Sequence, residues 1–322
     1  MQSVATPPLA YDWLDVFTDV PCGGNPLAVV YGAEGLSDAA MQRIAREFNL
    51  SETTFVLPPE DPKHTACVRI FTPTAELPFA GHPNIGTAVA LSLRGSIFDK
   101  PVGGRLIFEE KGGNVSIDML TGRSAQLTAP MPFVLSAPSE GIPRAEAAAA
   151  LGLAESQLRS EGRVACIGGS GYTLVELVDQ AALAQCAPDF AAIALLPPAK
   201  VLAWVQVGCV MGKENKDGEE GHDICCRMFT ARGTEDAATG AASCCLLGLL
   251  AMETGGQGKG GCLHRRVSQG VEMGRPSTLL GECQYDERGA PTSVKIAGSS
   301  VLLMSGSIQR ELFALDRSTA GR

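Results

Sequence analysis

Apolar residues along this chain fall into short runs separated by polar turns, and the runs show two different periods. Leu14–Phe17, Leu27–Tyr31 and Thr53–Leu57 are compact apolar stretches of the kind that form strands. Between the last two, Met41, Ile44, Ala45 and Phe48 recur at i, i+3, i+4 and i+7 behind Ser37. That spacing predicts an amphipathic helix with Ser37 as its cap. Cys67–Thr72 reads as a further strand, and Gly86–Leu93, small and apolar throughout, as a buried helix. Strands are predicted at Arg105–Glu109, Asn114–Asp118 and Ala125–Ala129, ahead of a proline-rich break at Ala129–Pro132.

Beyond the break, Ala145–Leu151 is Ala-rich and helical, and Tyr172–Val178, Val201–Val207 and Asp223–Phe229 read as strands. A charged, Gly-containing loop is expected at 212–221. Ala241–Met252 reads as a second buried helix, followed by a Gly-rich turn at Gly255–Gly261 and strands near Val267–Met273, Val294–Gly298 and Val301–Met304. Many short strands with one buried helix per half predict an α+β protein, because a doubly wound sheet would alternate strand and helix regularly.

The chain also resembles itself. Arg69-Ile70-Phe71-Thr72 recurs as Arg227-Met228-Phe229-Thr230. Each copy is followed by a polar turn and then by a five-residue frame that opens a buried helix. The first frame is His82-Pro83-Asn84-Ile85-Gly86 and the second Asp236-Ala237-Ala238-Thr239-Gly240. Two related halves predict pseudo-twofold architecture. Free N–H groups and the positive dipole end at two such helix starts suit a small carboxylate held from both sides. His82 and Asp236 would then be equivalent residues. The plainer alternative is that each polar residue only caps its helix, and Asp is a good cap type.

Composition narrows the function classes. With 26 Lys plus Arg against 35 Asp plus Glu, the net charge of −9 argues against a nucleic-acid binder, which needs a basic stripe. No apolar run is long enough to span a membrane, and Met1–Ala10 lacks the pattern of a secretory signal. A cytoplasmic protein is expected, its eleven cysteines reduced and mostly buried. No CxxC or CxxH spacing and no paired-histidine spacing is present, so no metal is expected. Gly256–Gly261 fits GxGxxG, but it follows a helix and precedes a strand, the reverse of a dinucleotide site.

Among acidic residues, Glu52 is a lone carboxylate at the entry to the apolar strand Thr53–Leu57. Covered by neighbouring structure, such a group should have a raised pKa and could exchange a proton with carbon. Exposed, it would be an ordinary solvated strand-edge glutamate.

Motifs along nearly the whole chain resemble the PhzF-like family of phenazine-biosynthesis isomerases, on the diaminopimelate epimerase-like superfold. They are Asp15-Val16-Phe17-Thr18 with Gly24-Asn25-Pro26-Leu27-Ala28-Val29, Asn49-Leu50-Ser51-Glu52-Thr53, Phe71-Thr72-Pro73, and Glu76-Leu77-Pro78-Phe79-Ala80-Gly81-His82-Pro83. Later come Phe229, Glu235-Asp236-Ala237-Ala238-Thr239-Gly240 and Gln269-Gly270-Val271-Glu272-Met273-Gly274-Arg275-Pro276-Ser277. The resemblance implies two pseudo-symmetric domains, each a curled mixed sheet around a central helix. They would span 1–129, completed by residues from about 305–322, and 130–304, with a site in the cleft between them. It also implies a homodimer and catalysis without a cofactor.

By the same resemblance, Glu52 is the acid–base group and His82 and Asp236 act with it. Asn25, Gly81, Gly240 and Ala241 would bind a small anionic cyclic carboxylate. The family's characterised reaction isomerises trans-2,3-dihydro-3-hydroxyanthranilate by moving a proton between ring carbons. Two positions depart from the family: Ala237 stands for Pro and Ala241 for Ser. A racemase using two opposed thiols is disfavoured, because those positions hold Ala80 and Thr239. A dehydratase using the same glutamate, and a non-catalytic carboxylate binder on the same fold, remain the competing readings.

Overall fold

The computed structural model describes residues 7–207, 224–254 and 259–314. The expected loop at 212–221 and most of the turn at 255–261 lie outside them. No helix among the described residues is long and apolar enough to cross a membrane. The chain divides into two compact units. Of the described residues, one takes 7–21, 26–127 and 299–314, and the other takes 22–25 and those within 128–298.

The first unit is a mixed sheet around the helix Gly81–Arg94. Strand Asn25–Tyr31 runs parallel to Glu52–Leu57, which is antiparallel to Ala66–Phe71. Ala66–Phe71 in turn pairs antiparallel with Glu76–Leu77 and parallel with Arg105–Glu110. Every residue from Gly81 to Leu91 is buried, which is why the helix shows so little amphipathic period. It begins five residues before the predicted start. Pro83 is accommodated in the first turn, where its missing N–H has no intrahelical role. Helix and sheet approach so closely at Gly86 that an added Cβ would lie 2.5 Å from Leu27 Cδ2 and 2.6 Å from Val16 Cγ2.

The predicted amphipathic helix forms at Asp38–Phe48, with the Ser37 side chain accepting from the Ala40 N–H. It packs Met41, Ile44 and Ala45 against Phe55 and Phe71.

The second unit repeats this order around the helix Gly240–Thr254. Strand Ser170–Glu176 is parallel to Lys200–Gln206, which is antiparallel to Ile224–Thr230. Ile224–Thr230 pairs antiparallel with Thr234–Asp236 and parallel with Gly261–Gln269. Three helices, Arg144–Leu151, Gln180–Gln185 and Phe190–Leu195, contribute to a core with Val175, Val201 and Phe229. The last two of these helices lack a long apolar period and start at Asp179 and Asp189, whose side chains cap them.

The internal repeat extends to side chains. Arg69 Nε lies 2.8 Å from Glu76, and its guanidinium stands 5.1 Å from the Phe71 ring. Arg227 Nε likewise lies 2.8 Å from Glu235, and its guanidinium stands 5.0 Å from the Phe229 ring. The architecture is therefore the expected α+β pair of pseudo-symmetric, curled mixed sheets.

Two predicted strands near the C-terminus are one. Pro291–Ile308 is continuous; it pairs with Ser277–Tyr285 over its first part and with Leu9–Val16 over its last. Where Leu9–Val16 ends, Phe17 takes a left-handed conformation at φ 66°, and its N–H reaches the Ser299 carbonyl at 2.7 Å.

Candidate active site

In the first unit, Glu52 opens the strand Glu52–Leu57 and His82 is the second residue of the central helix. A buried contact of 2.9 Å between the Thr54 and Thr87 hydroxyls ties that strand to that helix. The result sets His82 Nδ1 3.4 Å from Glu52 Oε2, with the imidazole 5% exposed and the glutamate 18%. Burial pushes the His82 pKa down to about 3, only partly opposed by a hydrogen bond to the Pro26 backbone. Proline has no N–H, so that partner is the carbonyl. The imidazole is therefore neutral at physiological pH, and its contact with Glu52 is not an ion pair.

His82 does not cap its helix. The capping position is Ala80, which offers no side-chain acceptor to the first-turn N–H groups at Gly81 and beyond.

In the second unit, Asp236 ends the strand Thr234–Asp236, four residues before the helix starts at Gly240. Thr239 Oγ1 donates to Asp236 Oδ2 at 2.5 Å, and Asn25 Nδ2 to Oδ1 at 2.8 Å. Asn25, almost fully buried, also donates to the Ala238 carbonyl at 2.9 Å. Burial raises the Asp236 pKa to about 6; the Thr239, Asn25 and Ala237 hydrogen bonds and Lys200 oppose it. Asp236 thus accepts hydrogen bonds around a carboxyl that titrates near neutrality.

Residues without an assigned role in the sequence reading organise this network. Gln269 accepts from the Thr239 N–H at 3.0 Å and donates to the Asp236 carbonyl at 2.8 Å. Ser277 donates to the Ala237 carbonyl at 2.9 Å. Arg275 grips the segment that carries Asn25, donating to the Gly24 carbonyl at 2.8 Å and the Gly23 carbonyl at 2.6 Å. All three lie in the motif Gln269–Ser277, so the signal was present, but nothing local to it reveals which backbone it holds. Gly240 and Ala241 are buried at the start of the central helix.

Thr239, the position a thiol would occupy in a two-cysteine racemase, instead serves Asp236. The neighbouring helix cysteines are unsuited to that role, since burial pushes the Cys244 thiol up to about 12.

The chain matches the family model described as PhzC-PhzF, phenazine biosynthesis-like protein, over residues 14–306. It is 35% identical over 313 residues to the trans-2,3-dihydro-3-hydroxyanthranilate isomerase of Pseudomonas aeruginosa, covering 92% of this chain and 98% of that one. A crystal structure of a PhzF-family phenazine biosynthesis protein from Bacillus anthracis shares the fold, with a TM-score of 0.79 at 23% identity. That likeness covers 94% of this chain and 99% of the other. The structure of a predicted epimerase from Pseudomonas aeruginosa matches with a TM-score of 0.69 at 28% identity, over 93% of this chain and 98% of that one. With this family match spanning both units and an isomerase aligned along nearly its whole length, the chain belongs to the phenazine biosynthesis-like (PhzC-PhzF) family and is an isomerase.

Proposed function

We propose that the protein moves a proton between carbons of a small cyclic carboxylate resembling trans-2,3-dihydro-3-hydroxyanthranilate, with Glu52 as the acid–base group and no cofactor. The observation that carries the reading is the carboxyl of Glu52, partly sheltered and 3.4 Å from an imidazole that burial keeps neutral. The neutral imidazole forms no ion pair with Glu52, whose carboxylate acts as the base. Glu52 takes a proton from a ring carbon, the released electron pair spreads into the conjugated ring, and Glu52, its carboxyl open to exchange with solvent, returns a proton at another carbon. His82 supplies a neutral hydrogen-bonding group beside it. Asp236, held by Asn25 and Thr239 and titrating near 6, binds the polar edge of the same substrate. The helix starts at Gly81 and at Gly240–Ala241 offer N–H groups to the substrate carboxylate.

The test is hydrogen exchange. Incubated in D₂O with trans-2,3-dihydro-3-hydroxyanthranilate, the protein should convert it and incorporate deuterium at carbon. Glu52→Gln should lower turnover by about 10²–10⁴-fold, the usual contribution of general acid–base catalysis. Unchanged exchange in Glu52→Gln sinks the reading, and tight binding without exchange in the parent protein makes it a binder. A homodimer and a cytoplasmic location belong to the same reading; light scattering on the purified protein checks the first.

A further inference from the structure

Strands Gly261–Gln269 and Ser277–Tyr285 pair antiparallel, with His264 opposite Glu282 and Cys262 opposite Gln284. Cys262 and His264 are two residues apart on one strand, so their side chains leave the same face, and a directly opposite residue leaves that face too. The thiol, imidazole and carboxylate ligand atoms of Cys262, His264 and Glu282 all lie within 4.8 Å of one another, and Cys262 Sγ is 3.4 Å from His264 Nε2. A zinc ion sits about 2.3 Å from a thiolate sulfur and about 2.0–2.1 Å from an imidazole nitrogen. At a tetrahedral angle those bonds set the two ligand atoms roughly 3.5 Å apart. The pair therefore already has the spacing of two zinc ligands, and Glu282 supplies a third of the right chemistry.

We propose that Cys262, His264 and Glu282 form a binding site for a borderline-soft divalent cation of the zinc type on the open face of the second unit's sheet. Three protein ligands leave one tetrahedral position to water. Sulfur and imidazole nitrogen select against magnesium and calcium, which take oxygen ligands. Lys295, on the next strand, pairs with Glu282 at 3.2 Å, and Gln284 donates to the same carboxylate at 3.3 Å. The ammonium must swing away for Glu282 to bind a cation, which weakens the site without removing it. A cysteine thiol is protonated at neutral pH, so coordination forms the metal–sulfur bond and releases one proton to solvent. A sequence search for CxxC or CxxH spacing misses this site because its third ligand comes from another strand.

Cobalt(II) titration of the purified protein tests it with a readout independent of turnover. The parent protein should bind one cobalt ion with a thiolate-to-metal charge-transfer band, release one proton per ion, and lose the band when zinc is added. Cys262→Ser should abolish the band. Cys22→Ser, which removes the other exposed thiol among the described residues, should leave it intact. His264→Ala and Glu282→Gln should weaken binding by on the order of tenfold or more. All these positions lie at or near the surface, so the variants should fold as the parent does, which circular dichroism checks. A band that survives Cys262→Ser, or no band in the parent protein at millimolar cobalt, overturns the proposal.

Discussion

Replacing Glu110 with glutamine should stabilise the protein, an uncommon direction for a substitution inside a fold. Glu110 ends the strand Arg105–Glu110, and both its carboxyl oxygens are out of solvent without a hydrogen-bond partner. Asn84 Oδ1, in the first turn of the central helix, is buried and unpartnered as well, while Asn84 Nδ2 is committed to the Ala80 carbonyl at 3.0 Å. Burial pushes the Glu110 pKa from 4.5 to about 8, with the Asn84 side chain opposing it.

The unfolded chain ionises this group above pH 4.5, whereas the folded chain holds it neutral until about pH 8. Its contribution to stability is therefore complete below pH 4.5 and is lost progressively as pH rises through 8. At pH 7 folding must bind a proton across 2.5 pH units, the interval from 4.5 to 7, which costs about 3 kcal/mol at roughly 1.4 kcal/mol per unit. Glutamine has the same shape and no such cost. Urea unfolding at pH 4.5, 7 and 8.5 should show Glu110→Gln gaining nothing at the lowest pH and about 3 kcal/mol at pH 7, with the gain still larger at pH 8.5. Equal stability at pH 7, or a gain that ignores pH, would refute the desolvation reasoning.

Three further outcomes are expected. His82 is held neutral with a pKa of about 3 against 6.5 in the unfolded chain, so its contribution is lost as pH falls from 6.5 through 3. Between pH 7 and 5 that amounts to about 2 kcal/mol; Asp236, raised from 3.8 to about 6, acts oppositely over part of the same range. The readout is thus the difference between the parent and His82→Asn, whose pH 5 to 7 unfolding curves should diverge. Arg275→Ala removes two charge-assisted hydrogen bonds to the Gly23 and Gly24 carbonyls, worth about 1.5–3 kcal/mol each. With Asn25 no longer seated on Asp236, kcat/KM should fall at least about tenfold, and Arg275→Lys, lacking the planar fork, should recover only part. Gly248→Ala would put a Cβ 2.4 Å from the Phe133 ring and should cost about 1–3 kcal/mol, relieved by Phe133→Leu in the same chain.

Much of the scaffold was readable along the chain. The helix Asp38–Phe48 follows from four apolar positions and one capping serine, and its cap forms as expected. The repeated Arg-x-Phe-Thr strands pointed to duplicated halves, and each arginine makes the same two contacts in its own unit. Boundaries were harder. A wholly buried helix such as Gly81–Arg94 has no polar face to mark its start, and Pro291–Ile308 read as two strands because polar residues interrupt an apolar run.

The candidate site divides the same way. Glu52, His82 and Asp236 could be singled out as residues of the right chemistry beside apolar elements. Their electrical states could not, because desolvation sums over every atom packed around a group, and those atoms come from distant segments. Asn25 and Asp236 meet across 211 residues of chain, and Glu110 is neutral because burial takes its carboxyl out of water. Patterns of a few residues are set by backbone geometry and are local, so sequence alone determined which elements form. Proton affinity and ligand pairing depend on what long-range packing excludes from water, so the tertiary structure alone decided them.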